Sequence, residues 1–172
     1  AGKDYAVRPI GGDALEIARV EAGLIAAKVD FSPANETVRH GHAKSPYELG
    51  LGWLVKLDKG VAFNGRRALK KENGSRYRFV KLDVEGNKPA HNAYLFDKED
   101  GKNIGYVSSA SWAPSAKTNV GLGFVDMPHG EIGDVVWAEI YYQKELKWIK
   151  RWAKCTVVKD AAWNPPRKTL TP

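Results

Sequence analysis

Glu21 is the residue whose type and position most clearly indicate chemistry. It lies four residues after Ile17 and three before Leu24, so a helix would place it on an otherwise apolar stripe. Carboxylates avoid such surroundings unless they are paired, and Arg19 faces another side of the helix. Two interpretations stay open: a distant cation neutralises Glu21, or Glu21 accepts hydrogen bonds from a ligand with adjacent N–H donors.

Two histidines that flank a glycine could contribute to a metal site. His40 and His42 are close in sequence, whereas His91 and His129 belong to separate predicted elements, and no third ligand is evident near the pair. Zinc sites in proteins need three or four side-chain ligands. We therefore predict no metal site.

The signatures of nucleophilic catalysis and nucleotide binding are missing. Ser108, Ser109 and Ser111 lie near a strand end with no histidine close in sequence, and the chain has no nucleophile elbow. Gly121 and Gly123 lack the third glycine and the following helix of a dinucleotide fingerprint. From these residues we name no catalytic residue.

The composition indicates a folded protein of one or two domains. The 172 residues are 43% hydrophobic and carry 27 basic and 20 acidic side chains, a net charge of +7, which excludes a disordered chain. No apolar stretch reaches the roughly 18 residues that a membrane span needs, and no signal-peptide pattern is present. Cys155 is the single cysteine, which excludes an internal disulfide framework. We expect a soluble cytoplasmic protein.

A basic, aromatic-rich stretch closes the sequence. From residue 142 to residue 172 there are eight basic and two acidic residues, with Trp148, Trp152 and Trp163 among them. Such a stretch can bind nucleic acid, because cations neutralise phosphates and rings stack on bases. Alternatively, strands that alternate apolar and charged residues simply place lysine and arginine in water.

Helical and turn signals fill the first 74 residues. The spacing of apolar residues predicts a helix over 13–28. Ser45, Pro46 and Glu48 are typical of a short helical turn with a capping box. The other elements predicted in this part are a strand over 50–55 and a helix over 65–72.

Beyond Gly74 the pattern changes to short β segments. They cover residues 77–84, 91–96, 103–109, 119–125, 135–142 and 152–158. Six strands without intervening helices predict an antiparallel barrel or sandwich. We therefore predict an α+β chain of two domains, a helix-containing part over 1–74 and a β domain over 75–172.

Four blocks of sequence, in order, resemble those of one family. They are Gly11 to Leu24, then Ser45 to Trp53 with Phe63 to Leu69, then Gly105 to Pro114 with Asn119 to Leu122, and finally Trp163 to Lys168. Together they resemble the glycine cleavage T-protein (aminomethyltransferase) and its tetrahydrofolate-dependent demethylase relatives over nearly the whole chain.

The resemblance implies a fold and an activity. Members of the family have three domains, and this chain resembles the end of the second, a folate-binding α+β domain, followed by the C-terminal antiparallel β-barrel. It implies a one-carbon transferase or demethylase that passes a methyl or aminomethyl group from a small donor to tetrahydrofolate. The N-terminal portion that supplies the family's catalytic Asp has no counterpart, and the chain begins with Ala1. We therefore expect a piece of a longer protein or one chain of a split enzyme, inactive without a companion N-terminal portion.

The resemblance also implies cofactor-binding residues. Glu21 matches the glutamate that binds the pterin, whose 2-amino group and N3–H are two parallel donors. Lys59 stands where the family has an arginine, so it keeps the charge without the planar fork. Trp112 and Arg167 belong to matched blocks near the family's cleft, where each either lines the cleft or serves a structural role.

Three departures from the family pattern indicate a divergent member. Ala110 replaces the usual glycine, Ala113 the usual serine, and Lys28 stands where glycine is common. The methyl donor therefore need not be the lipoyl-bound aminomethyl group. The alternative function is a non-enzymatic module whose basic β-barrel binds nucleic acid or a partner protein.

Overall fold

A closed barrel of antiparallel strands forms most of the structure. The computed structural model describes residues 3–39, 43–72 and 74–166. The helices are α1 (Gly12–Glu21) and α2 (Arg66–Lys71), with single turns of 3-10 helix at Lys3–Tyr5, Ala34–Glu36 and Gly52–Leu54. The strands are β1 (Tyr77–Val84), β2 (Tyr94–Phe96), β3 (Asn103–Ala113), β4 (Thr118–Asp126), β5 (Val135–Lys144) and β6 (Lys147–Val158).

The barrel closes by pairing its first strand with its last. The strands follow the order β1-β4-β3-β2-β5-β6, and β6 pairs with β1. Because alternate residues of a strand point to opposite faces, inward side chains such as Leu82, Leu95 and Val107 are fully buried. The predicted antiparallel barrel is confirmed, and the sandwich alternative is wrong.

The hairpin of β5 and β6 is longer than the sequence predicts. Strand β6 begins at Lys147, which pairs with Lys144, rather than at residue 152. The two residues between the strands, Glu145 and Leu146, have φ angles of 49° and 64°. Sequence reasoning misses this turn because hairpin turns with two positive φ angles are usually marked by asparagine or glycine.

Helix α1 ends at Glu21, well before the predicted residue 28. Gly23 has a φ of 68°, and the Leu24 N–H donates to the Arg19 carbonyl at 2.9 Å, which is the Schellman pattern of a helix terminus. The apolar spacing continues past this glycine although the helix does not. Glu21 therefore lies at the helix terminus rather than in its middle.

The segment before the barrel contains the predicted helical turn but not the predicted strand. The Ser45 N–H donates to Glu48 Oε2 at 3.0 Å, and the Glu48 N–H to Ser45 Oγ at 3.3 Å, which is the predicted capping box. The strand over 50–55 is wrong because Gly50 turns the chain with a φ of 71° and Gly52–Leu54 forms a turn of 3-10 helix.

Helix α1 packs on the outside of the barrel through one buried side chain. Val20 contacts a small apolar cluster with Ala113, Val120 and Leu122 of β3 and β4. Ala113 is fully buried there. Its methyl group suits this cluster, where the serine common in the family would need a hydrogen-bond partner.

A buried ion pair joins α1 to the same strands. Arg19 Nη1 donates to Asp30 Oδ2 at 2.9 Å, and Asp30 Oδ1 accepts hydrogen bonds from the hydroxyls of Ser108 and Ser109 at 2.6 and 2.7 Å. Arg19 Nη2 also donates to Ser109 Oγ at 2.8 Å. The carboxylate of Asp30 has no exposed surface, so these bonds replace its hydration completely.

A second carboxylate ties the segment before the barrel to the start of β1. Glu48 is only 2% exposed, and its Oε1 accepts from the backbone N–H of Arg76 at 3.0 Å and from Arg76 Nε at 3.1 Å. Burial alone would raise the pKa of Glu48, but the hydrogen bonds from Arg76 and from the Ser45 amide outweigh it and hold that pKa below its ordinary value.

We expect Asp30→Asn to destabilise the protein by about 3 kcal/mol, because it removes the fully buried carboxylate of the pair with Arg19. Glu16→Gln is the matched control: Glu16 also pairs with Arg19, at 2.7 Å, but is half exposed, so its loss should cost about 0–1 kcal/mol. Chemical denaturation measures both. Equal effects of the two substitutions would contradict this role of Asp30.

Glu48→Gln should cost about 1–3 kcal/mol at pH 7, because it removes a buried charge that accepts several hydrogen bonds. The pKa of Glu48 is lower in the folded than in the unfolded protein. The stabilisation by the ionised carboxylate is therefore complete at pH values above the unfolded-state pKa of about 4.3. It is lost as the pH falls through the pKa of the folded state. The stabilities of wild type and variant should therefore converge below about pH 4. A difference that stays constant with pH would contradict the assignment.

Lys28 adopts a φ of 70°, which accounts for the glycine common at this position in the family. Its ammonium forms an exposed ion pair with Glu36 at 2.6 Å, so Lys28→Gly and Lys28→Ala both remove that pair. Only glycine relieves the left-handed backbone, and we expect the glycine variant to be more stable than the alanine variant by about 1 kcal/mol. Equal melting temperatures would contradict this.

Candidate functional site

The carboxylate of Glu21 is held against the turn between β3 and β4. Its Oε1 accepts hydrogen bonds from the backbone N–H of Ser115 at 2.9 Å and from Ser115 Oγ at 2.8 Å. The Trp163 N–H donates to the Glu21 carbonyl at 2.8 Å, so the C-terminal segment passes the same helix end. No ion pair to Glu21 occurs within residues 3–39, 43–72 and 74–166.

This arrangement orients a partly exposed carboxylate and leaves it able to bind more donors. A carboxylate offers about four acceptor positions, and both Ser115 bonds use Oε1. In the described part of the chain no hydrogen bond reaches Oε2. The group therefore fits a ligand N–H at Oε2, whereas a bidentate pair of donors would have to share Oε1 with Ser115.

A small, mostly apolar cavity of about 200 Å³ lies beside this helix end. Val20 and Gly23, which flank Glu21 in sequence, line it together with Ala116, the neighbour of Ser115. Residues 160–162 of the C-terminal segment form another part of its wall. Glu21 thus lies next to a recess built from the helix, the barrel and the C-terminal segment.

Trp112 is on β3 near Ser115 but faces the other way. The next residue, Ala113, packs beneath Val20, and successive side chains of a strand point to opposite faces. The indole of Trp112 is 48% exposed, so it is not a core residue. Trp112 therefore lies only three residues before Ser115, which binds Glu21, but its side chain points away from α1.

Lys59 lies in the segment before the barrel, on the wall of a largely apolar cavity of about 510 Å³. The cavity is shared with Leu54, Val61 and Phe63, all of them substantially exposed. Among the described residues, the ion pairs found do not join Lys59 to Glu21, and the cation–ring contacts do not join it to Trp112. Arg167, together with His40 and His42, lies outside the residues that the structure describes.

Ser115 is the site residue that sequence reasoning misses. It follows Pro114 in a turn between two strands, and nothing in its local sequence links it to a residue 94 positions earlier. The matched block that ends at Pro114 is the one signal that points toward this turn. Arg19 is missed for a different reason, because its partner Asp30 lies beyond the helix terminus and not one turn away.

The described part of the basic stretch, up to residue 166, includes the outer face of the β5–β6 hairpin, where two lysines pair with carboxylates. Lys150 contacts Glu139 at 2.7 Å and Asp100 at 3.3 Å, and Lys154 contacts Glu85 at 3.5 Å. These carboxylates neutralise positive charge that would otherwise be available to bind the phosphates of a nucleic acid. The solvated-strand interpretation accounts for this part, and the alternative of a nucleic-acid module has no support from the structure.

Two further properties concern the described residues only. No group of three or more His, Cys, Asp or Glu side chains among them is arranged to hold a metal ion. None of their helices is long and apolar enough to cross a membrane.

Comparison with known proteins places the barrel and the preceding segment in one family. Residues 77–159 match the family model of the glycine cleavage T-protein C-terminal barrel domain. Over 138 residues the chain is 36% identical to an aminomethyltransferase of Caldanaerobacter subterraneus subsp. tengcongensis, which covers 79% of this chain and 34% of that protein. It is also 35% identical over 136 residues to a trimethylamine-oxide aldolase of Ruegeria pomeroyi, covering 77% of this chain and 16% of the relative.

Solved structures agree with the sequence relatives. The crystal structure of glycine cleavage system aminomethyltransferase T from Bartonella henselae superposes with a TM-score of 0.71 at 25% identity, over 92% of this chain and 40% of that chain. The chain spans about a third of the length of the curated aminomethyltransferases that it matches. It belongs to the glycine cleavage T-protein family and corresponds to the C-terminal portion of its members.

Proposed function

We propose that this chain is the C-terminal, folate-binding part of a tetrahydrofolate-dependent aminomethyl or methyl transferase or demethylase. The observation that carries the proposal is the carboxylate of Glu21, oriented by two hydrogen bonds from Ser115 and still able to accept at Oε2. It stands in a chain whose relatives are named aminomethyltransferases.

In this proposal Glu21 anchors the pterin. Its Oε2 accepts an N–H of the ring, and Ser115 holds the carboxylate so that little side-chain freedom is lost on binding. Bound tetrahydrofolate would supply N5 as the acceptor of the one-carbon unit. The role of the chain is then to position the cofactor and shield it from water, because alignment of two reactants lowers the barrier substantially. Lys59, Trp112 and Arg167 remain predicted contacts of the cofactor.

A companion N-terminal portion belongs to the proposal, because the matched part of this chain covers only 34% of the aminomethyltransferase relative. The segment before the barrel offers the surface for it: Trp53 is 69% exposed, and Leu54, Val61 and Phe63 are also exposed around the cavity next to Lys59. Contiguous exposed apolar side chains mark interaction surfaces. The small methyl or aminomethyl donor would bind with that portion.

Helix α1 contributes less to this surface than its apolar stripe suggests. The side chain of Val20 packs against the barrel, whereas those of Leu15 and Leu24 are exposed. The apolar residues open to a partner are therefore divided between the ends of α1 and the segment that contains Trp53.

We expect Glu21→Gln to weaken tetrahydrofolate binding at least about tenfold, because a charge-assisted hydrogen bond becomes a neutral one. Ser115→Ala should weaken binding less, since the Ser115 amide still donates to Glu21. Isothermal titration calorimetry of the chain measures both.

Asp13→Asn is the matched control, because it removes the same charge from the same helix without touching Ser115. Equal affinities of the Glu21→Gln and Asp13→Asn variants would contradict the role of Glu21. A correctly folded wild-type chain that does not bind tetrahydrofolate would contradict the proposed function itself.

A further inference from the structure

Lys44 places its ammonium group among three aromatic rings on the outside of the barrel. Its Nζ lies 3.7 Å from the ring centre of Tyr77, 4.6 Å from that of Phe124 and 5.8 Å from that of Tyr106. We call these three residues the ring cluster. They belong to β1, β4 and β3, which are adjacent in the barrel.

The amine of Lys44 differs in its surroundings from the lysines that pair with carboxylates. Lys28, Lys150 and Lys154 each contact a carboxylate, whereas Lys44 Nζ has no hydrogen bond or ion pair within the described ranges. Burial lowers the pKa of Lys44 and outweighs the nearby Glu48, which raises it, while Arg76 lowers it and Asp126 raises it by smaller amounts. The three rings attract the charged ammonium form, so it is burial without a carboxylate in direct contact that favours the neutral, nucleophilic amine.

This amine forms part of the wall of a cavity of about 550 Å³. The ring cluster, Tyr94 and Phe31 supply its aromatic surface, and residues 28–32 form a further part of its wall. Gly105 also lines it, and a side chain there would collide with the Phe124 carbonyl of the neighbouring strand. The space in front of Lys44 is thus kept open by the close pairing of β3 with β4.

The carboxylates on the cavity wall do not neutralise the amine directly. Asp30 is engaged by Arg19 and by the serines of β3, and Asp126 is an exposed residue at the end of β4. The exposed Asp126 disfavours an anionic occupant of the cavity because like charges repel, whereas the charge of Asp30 is already met by Arg19. A neutral, electrophilic ligand suits the amine and the wall together.

We propose that Lys44 captures a small aldehyde in this cavity as a reversible imine. The unprotonated Nζ attacks the carbonyl carbon, the C–N bond forms as the carbonyl π bond breaks, and one proton passes from the nitrogen to the oxygen, giving a neutral carbinolamine. Loss of that oxygen as water leaves the C=N bond, and hydrolysis reverses the sequence. No electron is transferred in either direction.

Tyr106 is placed to assist the loss of water. Its pKa is raised, mainly by burial and also by Tyr77 and Asp30, so its hydroxyl stays protonated at neutral pH and able to donate a hydrogen bond. It lines the same cavity as Lys44. The capture site shares no residue with Glu21 and Ser115, so it stands or falls independently of folate binding.

The test is competitive labelling of the intact chain at pH 7 with glycolaldehyde and cyanoborohydride, which reduces each imine where it forms. Peptide mass spectrometry then gives a rate for each lysine. We expect Lys44 to be labelled at least about fivefold faster than two internal controls. Lys88 controls for ring contact, because its ammonium lies 5.1 Å from the ring centre of Tyr142. Lys147 is the control for an exposed lysine.

Two variants make the test specific. Tyr106→Phe keeps the ring and removes the hydroxyl, and we expect it to slow labelling of Lys44 severalfold while the rates of Lys88 and Lys147 stay the same. Lys44→Arg should leave those two rates unchanged and remove the fast-reacting site. Labelling of Lys44 at or below the rate of Lys88 would overturn the proposal and leave Lys44 as a purely structural cation among rings.

Discussion

Asp30 holds an ionised carboxylate where no water reaches it, and the arrangement of the N-terminal half depends on how that charge is satisfied. An unpaired buried carboxylate would cost several kcal/mol. Arg19 and the hydroxyls of Ser108 and Ser109 meet this requirement together. Since those partners belong to α1 and β3, the helix has to sit against the barrel for the charge to be tolerated.

The position of Glu21 follows from the same constraint. Once Arg19 is fixed toward Asp30 and Val20 is packed on Ala113, the next residue emerges at the helix terminus beside the β3–β4 turn. Ser115 then lies within hydrogen-bond reach. The position of Glu21, the proposed anchor of the cofactor, therefore depends on the buried ion pair of Arg19, two residues earlier, and not on the geometry of α1 alone.

Much of the barrel was predictable because its strands obey a simple period. Alternation of apolar and polar residues identifies β1 to its last residue, and every other strand lies at or near its predicted segment. The failures occur where backbone conformation departs from residue preference. Gly23 stops a helix whose apolar spacing continues, and the turn at Glu145 and Leu146 adopts positive φ without asparagine or glycine.

The candidate site was predictable only in part. Glu21 draws attention because a carboxylate on an apolar stripe needs an explanation, and the family resemblance supplies one. Its actual neighbour, Ser115, is determined by the pairing of β3 with β4, and no local pattern encodes that pairing. Lys44 carries no signal in the sequence either, because its three rings come from three different strands.

The distance along the chain between Arg19 and its serine partners has a consequence for biosynthesis. The bond from Arg19 to Ser109 spans 90 residues, which a ribosome needs about 5 to 20 s to add. Over that interval the Asp30 carboxylate stays hydrated, and a helix of ten residues is too short to persist alone. Helix α1 thus leaves the ribosome before the strands on which it packs, and the barrel made after it serves as its template.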